Sequence, residues 1–322
     1  MTLKKLSTLV LGTLLSCSFS HSALAYPDKP VRLIVPYAPG GSADIIARLV
    51  SEEWGKQLGK PLIVENRSGS GGNIGVNLVA KAQPDGYTIG LQTVSLAINP
   101  ALYKTMPYDT LTELEPIGTV ATSQHVLVVN NEMPAQNIEE LIQVTKNEPG
   151  KYIYGSAGSG STFHMAAELF KNISETNIVH IPYRGGGPAL MDTIGGHVNM
   201  SFPVLSAALP QVQGGKLRAL GVTGPTRSSL MPDTPTIAEA GLPDYSFETW
   251  FMVIAPTGTP ESIIQTLNAT LNQTLQHEPT KERMVREAFD PAPSSPSEAD
   301  NLLRADLVKW QKIIEQSGIE VE

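Results

Sequence analysis

Val31-Arg32-Leu33-Ile34-Val35-Pro36-Tyr37-Ala38-Pro39-Gly40-Gly41-Ser42-Ala43-Asp44-Ile45-Ile46 is the stretch on which the fold turns. Residues 31–37 form an apolar, β-rich run that breaks at Pro39-Gly40-Gly41. A helical pattern follows: Ile46, Val50, Trp54 and Leu58 recur every four residues, and Ile45 and Leu49 widen the stripe. Ser42 reads as its N-cap. A strand, a glycine turn and a helix start together make an anion cradle, because first-turn N–H groups have no partner inside the helix and the dipole is positive there. The arrangement returns in the second half. There Tyr152-Ile153-Tyr154 leads into Gly155-Ser156-Ala157-Gly158-Ser159-Gly160-Ser161-Thr162 and a helix over residues 162–171. Two such cradles in two halves predict a small acid held between domains.

Outward from these two turns, strand-like and helix-like segments alternate. Residues 61–65 and 88–93 read as strands around a Gly69-Ser70-Gly71-Gly72 turn and a helix over 73–82. In the second half, strands are expected at 126–130, 178–182, 198–202 and 217–223, with helices at 138–146 and 188–194. This rhythm predicts α/β layers with largely parallel sheets. Near the end, Thr259-Pro260 offers an N-cap and a first-turn proline for a helix carrying Ile264, Leu267, Leu271 and Leu275. The last helix is expected over 297–316, with Leu303, Leu307, Trp310 and Ile314 on one face. Two apolar runs, 125–130 and 247–256, read as the places where the chain crosses between domains. The first domain is thus 26–125 with 247–322, and the second is 126–246.

Residues 1–25 read as a signal peptide: Lys4 and Lys5, an apolar stretch over 6–19, then Ala23-Leu24-Ala25 as the cleavage signal. An alternative takes Leu14-Leu15-Ser16-Cys17 as a lipoprotein signal, but the A-x-A site stands directly before the first strand and favours plain secretion. Cys17 is the only cysteine, so the mature chain has no disulfide and no thiol chemistry. At this length a chain without staples buries about 70–75% of its unfolded surface. The net charge of −8 argues against nucleic acid as a partner. No mature stretch approaches the ~20 apolar residues of a membrane helix.

Enzyme motifs are missing. No G-x-S-x-G elbow, H-E-x-x-H or G-x-G-x-x-G occurs, and the histidines lack metal spacing. Gly155 and Gly160 mimic the spacing of a phosphate loop, but Ser161 stands where such a loop needs lysine. No cofactor or metal is expected, and the chain reads as a monomer.

Further blocks carry a family resemblance. They are Tyr26-Pro27-Asp28-Lys29-Pro30-Val31-Arg32 with the first turn, Val64-Glu65-Asn66-Arg67, Pro84-Asp85-Gly86-Tyr87-Thr88, the second turn through His164, Pro182-Tyr183-Arg184-Gly185, and Ala255-Pro256-Thr257-Gly258-Thr259-Pro260. In this order they resemble the solute-binding proteins of tripartite tricarboxylate transporters, the Bug family, over essentially the whole mature chain. The resemblance implies a two-domain periplasmic clamp of the Venus-flytrap kind joined by two crossing strands. It implies a small carboxylate in the cleft, held by amides, hydroxyls and ordered waters of the two Gly-rich loops. It also implies delivery to a membrane permease, with some relatives serving a sensor kinase instead.

The expected ligand residues are Tyr37, Pro39, Gly40, Gly41 and Ser42 at the first turn, and Ser156, Gly158, Ser159, Gly160, Ser161, Thr162 and His164 at the second. Ser95, with Asn99, follows the 88–93 strand and is expected to reach the cleft. Tyr183 and Arg184 precede a third candidate turn, Gly185-Gly186-Gly187, of which Gly185 is a further expected ligand residue, and Arg184 suits a second carboxylate. Asp192 either orients water or braces its helix. Many relatives carry an aspartate just after the position of Phe202, where this chain has Pro203; its absence favours a plain carboxylic acid over one bearing an amino group. Asp44 and Arg48, four apart on one helix, are expected to pair as a brace.

Overall fold

The computed structural model describes residues 26–317, so the signal-peptide and lipoprotein readings fall outside the described residues. Strands and helices are numbered in chain order. One six-stranded sheet has the order β11 (Asp290–Pro291), β4 (Leu114–Gln124), β10 (Glu248–Pro256), β3 (Thr88–Thr93), β1 (Val31–Val35) and β2 (Leu62–Asn66). A five-stranded sheet has the order β7 (Val179–Pro182), β6 (Ile153–Ser156), β8 (Met200–Ser201), β5 (Val126–Val129) and β9 (Arg218–Val222). Helices α1 (Ser42–Leu58), α2 (Asn73–Ala80), α3 (Ser95–Leu102), α8 (Glu261–Gln276), α9 (Glu278–Arg286) and α10 (Pro296–Ser317) accompany the first sheet in sequence. Helices α4 (Ile138–Asn147), α5 (Thr162–Ser174), α6 (Gly186–Ile194) and α7 (Leu205–Gln213) accompany the second.

The sheets are mixed rather than largely parallel. β1 runs parallel to β2 and β3, but β10 is antiparallel to both β3 and β4, and β5 is antiparallel to β8 and β9. The strands that connect the sheets cause this. β4 leads out of the first sheet through His125 into β5, and β10 enters the first sheet against the direction of its neighbours. At the crossing, Thr223 ties the two passages together. Its amide donates to the His125 carbonyl at 2.9 Å, its hydroxyl donates to the Phe247 carbonyl at 2.7 Å, and its carbonyl accepts the Phe247 amide at 2.8 Å.

Strand alternation sorts the core onto two faces. Leu33 and Val35 pack with Ile46, Val50, Trp54, Leu267 and Leu271 on one side of the first sheet, while Ile34 packs with Val76, Val79, Leu303 and Trp310 on the other. Burying each such side chain contributes about 1.5–3 kcal/mol. Two of the three tryptophans also bond a neighbouring helix by their polar tips: Trp54 Nε1 of α1 donates to Thr270 Oγ1 of α8 at 3.0 Å, and Trp250 Nε1 of β10 to Asp306 Oδ2 of α10 at 2.7 Å. Two cap readings are corrected. Gly41, not Ser42, is the N-cap of α1, and Pro260, not Thr259, is the N-cap of α8. Neither glycine nor proline has a side-chain acceptor to cap with, and Thr259 Oγ1 turns back to the Pro256 carbonyl.

Candidate functional site

A cavity of about 320 Å³ lies where loops of both sheets meet. From the first sheet come Tyr37, the Gly69-Ser70-Gly71-Gly72 loop and Tyr103; from the second come Ala157, Gly158 and Ser159, then Pro182, Tyr183 and Arg184. Arg184 is the only charged side chain among these residues. A larger groove of about 740 Å³ runs between α3, the segment 106–111 and α10. It is lined largely by aliphatic groups, takes nothing from the second sheet, and its Arg304 is already bonded to Asp300 at 2.7 Å. We therefore place the candidate site in the smaller cavity, where two halves converge on one volume.

Each wall is built locally. Tyr37 is buried, and its hydroxyl donates to Ser95 Oγ at 3.0 Å beside Thr93 Oγ1 at 3.3 Å, which fixes the ring against the cavity; burial pushes its phenol up. The 69–72 loop is a run of positive φ at all four residues, which explains its three glycines. Ser70 is the non-glycine exception, at φ +48°. Asn99 Nδ2 supports this loop through the Gly71 carbonyl at 3.2 Å. Tyr103 Oη reaches across to donate to the Ser159 carbonyl at 2.8 Å, so a side chain of the first sheet's half holds a loop of the second.

The second glycine turn is wired from behind. Ser161 is the N-cap of α5 and its hydroxyl accepts the His164 amide at 3.4 Å. The Gly160 amide donates to His164 Nδ1 at 3.1 Å, and the Gly158 amide to Ser156 Oγ at 3.1 Å. Amides of the first helical turn, at Thr162 and Phe163, have no partner within the helix. On the third turn, Tyr183 Oη donates to Asp192 Oδ2 at 2.6 Å. Burial, then this bond and the Asp192 charge, pushes the Tyr183 phenol up to about 12. Asp192 thus braces Tyr183 at the cavity edge.

The expected residues therefore separate into two sets. Tyr37, Gly158, Ser159, Tyr183 and Arg184 line the cavity. Ser95, Ser156, Gly160, Ser161, His164 and Asp192 do not line it but are bonded to its walls or to the turn that forms them, and Thr162 opens α5 outside the lining. Phe202 has no exposure, packs on Phe170 at a ring-centroid distance of 5.7 Å, and offers only its carbonyl, to His125. Pro39, Gly40 and Gly41 meet the third turn, and neither they nor Ser42 line the cavity: a side chain at Gly41 would face the Gly186 amide, one at Gly187 the Pro39 carbonyl, and one at Gly185 the Ala38 backbone. The Gly40 amide already holds a carboxylate, donating to Asp44 Oδ2 at 3.0 Å. Asp44 also accepts from Arg48 at 2.9 Å and Asn66 at 3.0 Å. Burial raises its pKa, but the bonds from Arg48, Gly40 and Asn66 outweigh this and hold it below the usual range.

Sequence reading missed the 69–72 loop, Tyr103, Ala157 and Pro182 as walls. The glycine-rich 69–72 turn was legible as a turn, while nothing in the local pattern told that it faces another loop rather than solvent. Tyr103 was hidden because α3 contains Pro100, which breaks the helical signal ahead of it.

Two mixed α/β domains, two connecting strands and a cavity between their loops define the class of bilobal periplasmic solute-binding proteins. Residues 46–319 match the family described as the tripartite tricarboxylate transporter family receptor, TctC, and this chain belongs to that family. Protein BugT of Bordetella pertussis is 35% identical over 303 residues, covering 94% of this chain and 93% of its own. A Rhodopseudomonas palustris protein solved with adipate superposes with a TM-score of 0.89 at 34% identity, covering 92% of this chain and 99% of its own. MatC from the same species, with bound malate, gives 0.86 at 27% identity, with 90% and 100% covered.

Proposed function

We propose that this chain captures a small carboxylic acid in the cavity between its two domains and hands it to the permease of a tripartite tricarboxylate-type transporter. The observation that carries the reading is the charge inventory of the cavity: Arg184, no acidic side chain, and backbone and hydroxyl groups from three glycine-rich loops. Such a lining favours an anion and leaves an ammonium group without a counter-charge. Adipate and malate in two structural relatives are dicarboxylates of matching chemistry. One carboxylate is assigned to the Gly158–Ser159 turn and a second to Arg184. The 26–125 and 247–322 parts act as one lobe and 126–246 as the other, and ligand contacts from both lobes exist together only when they are closed. We place the mature protein in the periplasm, behind the signal peptide read at residues 1–25.

Thermal-shift screening of the mature protein against dicarboxylic, tricarboxylic and aromatic acids tests this, with amino acids, sugars and phosphates as controls. An acid at 100 times its dissociation constant should stabilise the fold by about 2.7 kcal/mol. A shift for an acid and none for its amide supports the proposal. Stabilisation by a control class with silence from every acid overturns it.

A further inference from the structure

The second glycine turn rests on two histidines that the cavity itself does not use. His164 is buried, and its Nδ1 accepts the Gly160 amide, so the proton of the neutral ring sits on Nε2. His180 stacks on His164 at 4.2 Å between centroids and on Tyr154 at 4.8 Å, while its Nε2 lies 2.6 Å from Ser156 Oγ. Ser156 Oγ in turn accepts the Gly158 amide. Both amides flanking Ser159, the cavity residue, are therefore tied through this stack. The other groups facing it are Glu168, whose Oε1 is 4.0 Å from His164 Nε2 and also takes the Tyr154 hydroxyl, and Lys171, bonded to Glu168 at 2.7 Å.

We infer that His164 is a positioning residue for the bound acid: as a neutral acceptor it holds the Gly160 amide, and with it the Gly158–Ser161 turn, in the shape that takes a carboxylate, an inference that rests on the binding reading above. A proton on Nδ1 would set two N–H groups against each other and turn the Gly160 amide out of place. The surroundings keep that proton away. Burial, then the Lys171 charge, pushes His164 down to about 4, and burial, then His164, pushes His180 down to about 3. Two imidazolium rings at the stacking distance would repel, so the pair holds its shape only while neutral. His164 reproduces half of a capping box with an imidazole in place of Glu or Gln, displaced by one residue so that it serves the amide before the N-cap.

Nitrogen NMR of the labelled full mature chain reads the ring directly. Native protein at pH 7 should show an unprotonated His164 Nδ1 and a Gly160 amide protected from exchange. His164→Phe keeps the ring and deletes the acceptor, and should speed Gly160 exchange about tenfold or more. His164→Gln restores an acceptor on the first turn and should restore protection. Calorimetric titration with adipate forms the second arm: the Phe variant should bind about tenfold more weakly and the Gln variant close to native. A protonated Nδ1 in the native protein, equal Gly160 exchange in native and Phe variant, or a Gln variant as defective as the Phe variant overturns the inference. Native protein that binds no acid of the screen counts against the binding reading instead, and the exchange arm then decides the role of His164.

Discussion

Gly71→Ala separates closure of the cleft from stability of the fold. Gly71 has φ +60°, and a Cβ there would stand 2.2 Å from the Ser159 carbonyl oxygen and 2.8 Å from Tyr103 Oη. The first of these contacts crosses from one sheet's loops to the other's. A carbonyl oxygen in the backbone does not swing aside, so the loops must part by about 1 Å to reach ordinary contact. The Tyr103–Ser159 bond, 2.8 Å long, then stretches out of range. Losing it costs about 1 kcal/mol, and the ligand contacts shared between the turns loosen with it. A total of about 1.4–3 kcal/mol corresponds to roughly tenfold to hundredfold weaker binding. Positive φ costs an alanine about 1–2 kcal/mol in open and closed forms alike, so that part falls on stability and not on affinity.

Gly59→Ala supplies the control. Gly59 caps α1 at φ +72° with open space around its Cβ position. Thermal melts and calorimetric titration with the acid found by screening should show both variants losing similar stability and only Gly71→Ala losing affinity. Small-angle scattering should report a larger radius of gyration for Gly71→Ala in saturating ligand. Equal affinities in the two variants, or a loss reproduced by Gly59→Ala, would refute the claim that these loops must touch for capture.

Tyr103→Phe deletes the cross-cleft hydroxyl alone, so affinity should fall several-fold, about 1 kcal/mol, with an unchanged melting temperature in the ligand-free protein; no change in Kd would remove Tyr103 from the mechanism. Arg184→Gln should weaken a dicarboxylate by about tenfold and barely affect the monocarboxylate of equal length, and a parallel loss for both would place the second carboxylate elsewhere. His125, wholly buried at the crossing, is pushed down to about 4 by burial although its bond to the Phe202 carbonyl opposes this. Its folded pKa lies below the unfolded value of about 6.5, so the unfolded chain binds the extra proton between these values and stability rises with pH across that window, by about 3 kcal/mol for such a group. His125→Asn should flatten the slope of unfolding free energy between pH 4 and 6.5, and an unaltered slope would mean the ring is already charged. Among the described residues no group of three or more His, Cys, Asp or Glu is placed to hold a metal, and affinity is expected to survive EDTA; loss in the chelator would show a metal dependence.

What the sequence made legible follows from how far each signal reaches along the chain. The 42–58 helix was readable to both its ends, because Ile46, Val50, Trp54 and Leu58 face one core and Gly59 stops the helix in a left-handed cap. The strand at Thr88–Thr93 was equally plain as a short β-rich run behind a turn. α3 and α7 were not readable, because Pro100 and Pro210 lie inside them and interrupt the local signal. Buried Leu96, Ile98 and Leu102 in one, and Leu205, Ala208 and Leu209 in the other, show the tertiary packing that overrides it. The 114–124 strand escaped notice for a related reason: Pro116 and Gly118 dilute its pattern, while pairing with β10 along its length holds it.

The site divided along the same line. A glycine turn announces a helix start wherever it occurs, so all four turns, at 39–41, 69–72, 155–160 and 185–187, were legible, but the local pattern carries no record of what a turn faces. The first turn was read as a cradle open to ligand; in the fold the Asp44 carboxylate occupies its Gly40 amide and the third turn covers it. The second turn keeps its cavity face because its amides are tied backward to His164 and Ser156. The two cradles that look alike in sequence are thus unequal in the fold: one has internalised its anion and meets the third turn, and the other is held in shape from behind and lines the cavity together with Arg184. On the binding reading proposed above, this inequality directs one ligand carboxylate to the Gly158–Ser159 turn and leaves Arg184 for a second, rather than one carboxylate to each of the two turns that look alike in the chain.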